Sequence, residues 1–273
     1  MKPFPFDVAR AHSLAEATRA LVTADGAARL VAGAQSLGPM LNLRLAQPTL
    51  LIDITGIPEL TRIDNAPDSV TLGSCITTAN IEDGRLPDRG LAALPAIAAQ
   101  IAYRAVRNRG TIGGSLCHAD PAADWVTALC ALGAECIITG PKGTRRLPAD
   151  QFIVGPYETA LAPGEMLEAI KIVRLSPRGR CGYYKVCRKV GEFALAIGAV
   201  VHDPDREVFR AVIGATHGRP IVVPDARQLQ RADKSFDEAT VLRVLDQAGI
   251  TEHAARRQHV AALTRAYQRA TAA

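Results

Sequence analysis

Apolar and polar positions recur along the chain with two spacings, which predict a mixture of helices and strands. Ser13 and Glu16 have capping-box spacing and precede apolar residues at helical intervals, which predicts a helix over "SLAEATRALVTAD". The runs "ARLVAGAQS" and "TLLIDI" predict short strands, the first leading into a turn. Between them, "LGPMLNLRL" predicts a turn and a short helix.

The middle of the chain predicts further strands around two helices. "SVTLGSCITTANIED" alternates like a strand, and "ALPAIAAQIAYRAVRN" predicts a buried helix that ends near Asn108 and Gly110. Asp120 as cap and Pro121 at the first helical position predict a second helix that continues to Gly133. Strands are then predicted over "AECIITG", "GTRRLPADQF" and "GEMLEAIKIVRL". The segment 176–182, rich in Pro, Gly and Arg, predicts a domain boundary.

The residues beyond this boundary predict a small α+β domain. "YYKVCRKV", "FALAIGAVVHD" and "EVFRAVIGAT" predict a three-stranded antiparallel meander. Two helices follow, one starting at the capping box of Ser235 and Glu238 and one over about 254–270. Strands followed by helices are typical of the α+β class.

Composition narrows the functional class. With 273 residues, 48% hydrophobic and 22% charged, the chain reads as a soluble globular protein, and its net charge of +5 does not indicate nucleic-acid binding. It contains no apolar run long enough to span a membrane and no signal-peptide core, so the cytoplasm is expected. Its six cysteines and six histidines show no metal-ligand spacing, so no metal site is expected on this chain.

The glycine-containing loop "VAGAQSLGPM", residues 31–40, raises two familiar possibilities, and neither fits. A P-loop ends in Gly-Lys-Ser/Thr, whereas Gly38 is followed by Pro39 and Met40. A dinucleotide fingerprint requires G-x-G-x-x-G, and Gly33 has no such partners, although Asp53 follows at the distance of a ribose-binding acid. Taken alone, this loop is more simply interpreted as a tight strand-to-helix turn.

A second loop, "TIGGS" at 111–115, has the character of an anion site. Gly113 and Gly114 permit positive φ and close approach of a ligand to backbone N–H groups, so a phosphate or pyrophosphate is the expected occupant. Asp120 is most simply a helix cap, whereas Asp124 can accept hydrogen bonds from sugar or ribityl hydroxyls. Together these features indicate a nucleotide cofactor. Positive potential is expected from three nearby arginines, Arg104, Arg107 and Arg109.

The two loops together resemble a known pair of motifs. "VAGAQSL" followed by "RNRGTIGGSLCHADPAAD" resembles the flavin motifs of the medium, FAD-binding subunit of molybdenum hydroxylases. That family includes the carbon monoxide dehydrogenase medium chain and the flavin domain of xanthine dehydrogenase, and the likeness covers nearly the whole chain. Ala34 stands where the family commonly has glycine and adds a methyl group. Ser115 stands where it usually has asparagine and shortens a polar side chain.

The resemblance implies an α+β fold with three parts. An FAD-binding domain of the p-cresol methylhydroxylase type is expected over 1–175, with subdomains of about 1–56 and 57–175 and FAD in the cleft between them. A small α+β domain with a three-stranded antiparallel sheet and helices is expected over 178–273. Residues expected to hold FAD are Ala32, Gly33, Ala34, Gln35, Ser36, Thr111, Ile112, Gly113, Gly114, Ser115, Asp124, Leu167 and Lys185.

The resemblance also implies a function and partners. The chain is expected to pass electrons from [2Fe–2S] clusters on a small partner subunit through FAD to an external acceptor. A large subunit is expected to carry the molybdopterin cofactor, and the complex to be a dimer of heterotrimers. No catalytic residue is assigned on this chain. A free-standing FAD oxidase or dehydrogenase of the same fold, or an assembly module with a decayed flavin site, remain alternatives.

Lys185 and a basic segment around it can be interpreted independently of the resemblance. Lys185 would stabilise the anionic reduced form of a flavin if it lies near the ring, and is otherwise a surface lysine. The segment 169–191 carries seven basic side chains and no acid, which predicts either a solvated face or a surface that steers an acidic partner. Arg178 and Arg180 are the side chains expected to face that partner.

Overall fold

The computed structural model describes residues 2–87 and 90–272. Its strands in chain order are β1 Asp7–Arg10, β2 Ala28–Val31, β3 Leu50–Asp53, β4 Ile63–Asn65, β5 Ser69–Gly73, β6 Glu135–Gly140, β7 Gly143–Pro148, β8 Ile153–Gly155, β9 Glu158–Thr159, β10 Met166–Val173, β11 Arg180–Val186, β12 Ala196–Asp203, β13 Val208–Gly214 and β14 Ile221–Val223. Its α-helices are α1 Leu14–Thr23, α2 Leu37–Asn42, α3 Pro58–Thr61, α4 Thr78–Glu82, α5 Ala93–Ala98, α6 Arg104–Arg107, α7 Ile112–His118, α8 Asp124–Ala131, α9 Ala149–Phe152, α10 Glu238–Gln247 and α11 His253–Thr271.

The strands form separate sheets with different connectivity. A parallel sheet has the order β1–β3–β2, and an antiparallel sheet has the order β4–β5–β10–β6–β7. A second antiparallel sheet has the order β11–β12–β13–β14, and β8 pairs with β9. The predicted α+β class is confirmed. The predicted three-stranded meander is confirmed as β11–β12–β13 and extended by β14, which the sequence analysis missed.

The helix α8 lies at the centre of the molecule, with all of its side chains buried. It packs against α7 and α9 on one side and against β12 and β13 on the other. A helix that is apolar on every face is stable only when it is enclosed in this way. One apolar core therefore joins residues on both sides of the predicted domain boundary. The division into domains at that boundary stays a prediction.

The long helix α11 covers the opposite face of the β11–β14 sheet, where it packs on β11 and β12. Its buried residues recur every three or four positions, which places one apolar stripe on the sheet. The predicted helix over 254–270 is thus confirmed. Within the described part of the chain, no helix is both long enough and apolar enough to cross a membrane.

The single helix predicted over 93–108 is wrong, because the structure divides it into α5 and α6. Ala102 between them has a φ of +46°, which is incompatible with a continuous right-handed helix. Ile101 instead forms a bridge with Gly191, and the Arg107 guanidinium donates to the carbonyl oxygens of Ile101 and Ala102 at 2.9 and 3.0 Å. Tertiary contacts of the interrupted segment replace the lost helical hydrogen bonds.

Other predicted boundaries also shift. The strand predicted through residue 83 ends at Gly73, and the Thr77 hydroxyl caps α4 by accepting from the Asn80 N–H at 3.2 Å. Asp120 does not cap α8, because its carboxylate accepts from Ala122 N–H in a turn and the helix starts only at Asp124. Asp237 rather than Ser235 caps α10. Short polar side chains cap α4 and α10, whereas the N-cap residue of α8 is Ala123, which offers no capping hydrogen bond.

Buried His259 predicts a loss of stability in mild acid. Its Nδ1 has no hydrogen-bond partner among the described residues, and burial together with the charge of His217 lowers its pKa from 6.5 to about 4. Because the unfolded chain binds this proton more readily, we expect the free energy of unfolding to fall by about 2 kcal/mol between pH 7 and pH 5. Urea titrations of the wild type and of His259→Gln at pH 7 and pH 5 measure this decrease. If the free energy of unfolding depends on pH equally in the two proteins, His259 is not its source.

Candidate functional site

The first candidate loop, Ala32–Ser36, connects β2 to α2 at the carboxyl edge of the parallel sheet, where such sheets bind ligands. Ala34 has a φ of +57°, in the left-handed region that favours glycine. The N–H groups from Gly33 to Ser36 donate to none of the described residues. Ser36 precedes α2, but its hydroxyl makes no capping hydrogen bond. The loop therefore presents a row of unused donors.

The first loop touches the segment that leads into the second loop. A Cβ atom on Gly33 would lie 2.0 Å from the carbonyl oxygen of Arg109 and 2.9 Å from the Cα of Gly110. No side chain can be accommodated at that distance from backbone atoms, so only glycine permits the two segments to meet. This contact brings the sequence-predicted loops to one place in the molecule.

The second candidate loop, Thr111–Ser115, differs from its prediction. Its residues from Ile112 onward form the first turn of α7, and neither Gly113 nor Gly114 adopts the positive φ that glycine permits. The N–H groups of Ile112, Gly113, Gly114 and Ser115 donate to Ile76 O, Ser74 O, Thr111 Oγ1 and Thr111 O, each at 3.0 Å. These donors are used within the protein and do not form a free anion nest. Gly113 is required for a different reason, since a Cβ there would lie 2.3 Å from the Cβ of Ser74.

The arginines near the second loop also differ from expectation. Arg104 forms two hydrogen bonds with Asp83 at 2.6 and 2.8 Å, and Arg107 forms two with Glu82, both at 2.7 Å. Their charges are compensated, and they fix α6 against α4. Arg109 is exposed and has no carboxylate within ion-pair distance among the described residues. Of the three arginines, Arg109 alone keeps uncompensated charge beside the loops.

The charge of Arg109 acts on a carboxylate at the end of β3. Partial burial acts to raise the pKa of Asp53, but hydrogen bonds from Thr55 and the charges of Arg10 and Arg109 lower it below its usual value. Asp53 pairs in register with Val31, the residue that leads into the first loop. Arg10, at 3.7 Å, is the ion-pair partner of Asp53, whereas Arg109 acts on this carboxylate from beyond ion-pair distance.

Asp124 and Lys185 form a buried ion pair that joins α8 to β11. Lys185 Nζ lies 2.9 Å from Asp124 Oδ2, and the two side chains are 2% and 6% exposed. The Tyr183 hydroxyl donates to Asp124 Oδ1 at 2.6 Å, and Lys185 also donates to the Gln100 carbonyl oxygen at 3.2 Å. Burial raises the pKa of Asp124, while Lys185 and Tyr183 oppose that change. Tyr183, Asp124 and Lys185 are called the buried triad below.

Tyr183 was not predicted as a site residue, although it lies two residues from Lys185 on a strand and so shares its face. It also missed the residues that support the loops. Thr78 donates its N–H to Gly110 O at 2.8 Å, and its hydroxyl accepts from Trp125 Nε1 at 3.2 Å. Leu167, another predicted site residue, is buried in β10, against which α7 packs. All of these residues therefore lie in the packing around α7 and α8.

Metal-ligating side chains are dispersed through the described part of the chain. No group of three or more His, Cys, Asp or Glu residues within it is placed to hold a metal ion. All six cysteines are free, and Cys117 in α7 is exposed.

A family model described as the FAD binding domain in molybdopterin dehydrogenase matches residues 4–173. The chain is 35% identical over 212 residues to the nicotine 6-hydroxylase medium subunit of Paenarthrobacter nicotinovorans, covering 77% of this chain and 74% of that protein. It is 37% identical over 201 residues to the carbon monoxide dehydrogenase medium chain of Hydrogenophaga pseudoflava, covering 74% of this chain and 70% of that protein.

Solved structures show the same likeness over the full length. A chain of the carbon monoxide dehydrogenase from Hydrogenophaga pseudoflava superposes with a TM-score of 0.89 at 30% identity, covering 99% of this chain and 98% of that one. A chain of quinoline 2-oxidoreductase from Pseudomonas putida 86 superposes with a TM-score of 0.85 at 28% identity, again covering 99% and 98%. The two halves of this chain are therefore arranged as in those proteins.

The contact between the loops predicts that alanine substitutions at Gly33 and Gly38 change the stability of the protein in opposite directions. Gly33→Ala forces a methyl group against the Arg109 carbonyl and should destabilise the protein by about 1–3 kcal/mol. Gly38→Ala meets no atom within 4 Å and lies inside α2, so it should stabilise by about 0.5–1 kcal/mol. Urea unfolding midpoints of the two variants test this, and equal midpoints would show that the loops are not in contact at Gly33.

The buried triad predicts that the contributions of Asp124 and Lys185 to the free energy of unfolding are strongly coupled. Lys185→Met leaves the Asp124 carboxylate buried with Tyr183 alone and should cost about 3–5 kcal/mol of unfolding free energy. Adding Asp124→Asn removes that unpaired charge, so the double variant should be more stable than Lys185→Met by itself. A double-mutant cycle from urea unfolding gives the coupling, and purely additive costs would contradict a mutual ion pair.

Proposed function

The chain belongs to the family of FAD-binding domains of molybdopterin dehydrogenases, and from that membership we propose that it is the FAD-binding electron-transfer subunit of a molybdenum hydroxylase complex. In this proposal a large subunit holds the molybdopterin cofactor and a small subunit holds [2Fe–2S] clusters. Electrons reach the FAD of this chain from those clusters and leave to an external acceptor. Two such heterotrimers form the complex, in the cytoplasm.

The observation that carries the proposal is the row of unused N–H donors in the first loop, next to the exposed charge of Arg109. A pyrophosphate needs several hydrogen-bond donors and nearby positive charge, and this loop has both. Ala32–Ser36 is therefore assigned to the pyrophosphate. The left-handed backbone conformation of Ala34 supports the assignment. A residue other than glycine in this conformation is strained, and such strained residues cluster at ligand-binding sites.

The second loop has a complementary part in the proposed site. Because its N–H groups from Ile112 to Ser115 already bond within the protein, it offers a rigid wall and not a set of free donors. Gly114 is exposed and Ser115 partly so, which leaves room for close approach and one hydroxyl for a hydrogen bond. Thr111–Ser115 is assigned to the far side of the pyrophosphate from the first loop.

The buried triad and Leu167 are assigned to the flavin end of the cofactor. An ammonium group has three N–H donors, and Lys185 directs two of them to Asp124 and Gln100. In this proposal the third bonds to a hydrogen-bond acceptor on bound flavin. Asp124 and Tyr183 then hold the lysine charge at one position. When bound, FAD supplies the redox chemistry by accepting and releasing electrons, and the protein groups orient it and adjust its electrostatic surroundings.

We expect the purified chain to carry FAD without a covalent bond, since the first loop has no histidine or cysteine to attach a flavin. Acid precipitation should release a yellow supernatant that chromatography identifies as FAD. Arg109→Gln should lower flavin occupancy after gel filtration, and the loss should grow with salt concentration. Arg19→Gln, which removes one exposed charge from α1, is the matched control.

The outcomes separate the parts of this proposal. Colour that stays in the precipitate would contradict a non-covalent flavin, and a colourless native protein would contradict FAD binding. Equal occupancy in the two arginine variants would remove Arg109 from the site. The subunit role is tested by reconstituting the complex with its own large and small subunits and following flavin absorbance during substrate oxidation. A flavin that stays oxidised there would contradict the electron route.

A further inference from the structure

One side of α11 carries three arginines over slightly more than three turns. Arg257 and Arg265 are eight residues apart and Arg265 and Arg269 are four apart, so they project from neighbouring positions along this side of the helix. With Tyr184 of β11 they border two adjoining open hollows of about 550 and 380 Å³. Arg257, Arg265, Arg269 and Tyr184 are called the arginine face below. No acidic residue lines either hollow.

The arginine face is uncompensated, unlike the arginines beside it. Arg256 on the same helix pairs with Asp246 at 3.2 Å. Arg257, Arg265 and Arg269 have no carboxylate within 4 Å among the residues that the structure describes. Like charges four residues apart on a helix repel each other. The positive charge of this face is thus unopposed within the described chain.

The guanidinium groups are nevertheless held in place. Arg269 Nη1 donates to the Tyr183 carbonyl oxygen at 2.7 Å, and Arg265 donates to the Tyr184 hydroxyl. Both guanidinium groups also stack on the Tyr184 ring, at 4.6 and 5.0 Å from its centroid. Each uses one of its five N–H donors in these bonds, which leaves most donors for a ligand. Side chains already fixed in this way lose little freedom when they bind.

Four of the seven basic side chains in the segment 169–191, which was predicted to meet a partner, lie within 4 Å of a carboxylate. Arg178 pairs with Asp205, Lys185 pairs with Asp124, and Arg188 and Lys189 both pair with Glu192. A surface whose charges are neutralised locally exerts little field on a partner. The expectation that Arg178 faces an acidic partner therefore loses its support, whereas the same expectation for Arg180, which is exposed and has no carboxylate within 4 Å among the described residues, stays a prediction.

We propose that the arginine face docks an acidic segment of a partner subunit in the molybdenum hydroxylase complex. This inference rests on the proposed function. The three arginines extend over about 18 Å of helix, at 1.5 Å per residue, which matches a stretch of protein carrying several carboxylates and exceeds a single phosphate. Fixed guanidinium forks bind carboxylates through paired hydrogen bonds. Arginine and tyrosine are also the residues enriched at the centres of protein interfaces.

The test compares two double variants of equal charge. Arg265→Gln with Arg269→Gln removes two charges from the arginine face, and Arg19→Gln with Arg243→Gln removes two from exposed positions on α1 and α10 that have no carboxylate partner among the described residues. The measured quantity is the dissociation constant for the chain's own large and small subunits at 50 and 300 mM salt. We expect the first double variant to bind at least tenfold more weakly at low salt, and the control to bind like the wild type.

Further variants separate charge from folding. Arg265→Lys with Arg269→Lys keeps the charge and should retain most of the affinity that the glutamine pair loses. Flavin content and the urea midpoint should match the wild type in all three double variants. A photo-reactive benzoylphenylalanine at Ala261, on the exposed floor of one hollow, should cross-link to a segment rich in Asp or Glu on one of the two subunits.

The outcomes distinguish the inference from the function it rests on. A wild-type chain that forms no complex with those subunits would contradict the proposed function. A wild-type complex that the Arg265 and Arg269 double variant also forms with unchanged affinity would overturn the arginine face alone. Cross-links to a second copy of this chain, or to a segment without acidic residues, would overturn it as well.

Discussion

The burial of α8 is the constraint on which the rest of the structure depends. This helix has apolar side chains on every face, so it must be enclosed by both halves of the chain. Its first residue, Asp124, is a carboxylate that enters the interior with it. A buried charge is tolerated only when it is paired, and Lys185 and Tyr183 of β11 supply the partners. The position of the β11–β14 sheet against the rest of the molecule follows from these two requirements.

The candidate FAD site is built outward from that helix. Trp125 of α8 bonds to Thr78, and Thr78 bonds to Gly110, the residue just before the second loop. The same segment meets the first loop at Gly33, where a side chain would strike the backbone. The two loops are therefore placed by packing against a rigid centre, although neither belongs to it. This arrangement suits a cofactor that must be held in one position for electron transfer, since the geometry does not depend on flexible loop conformations.

The distribution of arginines follows a similar logic. Arg104 and Arg107 are used to fix α6 against α4, and Arg178 and Arg188 are paired on the surface. The charges of these four arginines are neutralised locally, so they add little to the field at the surface. Arg109 beside the loops and the arginine face on α11 are different, since the described residues offer them no carboxylate at ion-pair distance. At the proposed cofactor site and at the proposed docking surface, a ligand or partner can supply the opposite charge.

Local patterns in the sequence determined the α+β class, the capped helix α1, the meander β11–β12–β13 and the two loops, because caps, alternation and glycine-rich turns act over a few residues. The motifs of the two loops were also sufficient to identify the family. Tertiary structure alone decided the break between α5 and α6, the state of the second loop's donors, and the pairing of Asp124 with Lys185. These features depend on groups far apart in the chain: Arg107 meets Glu82 across 25 residues, and Asp124 meets Lys185 across 61. Whether a charge is free or compensated, and whether an N–H is used or available, is settled only when such distant groups are brought within hydrogen-bond distance.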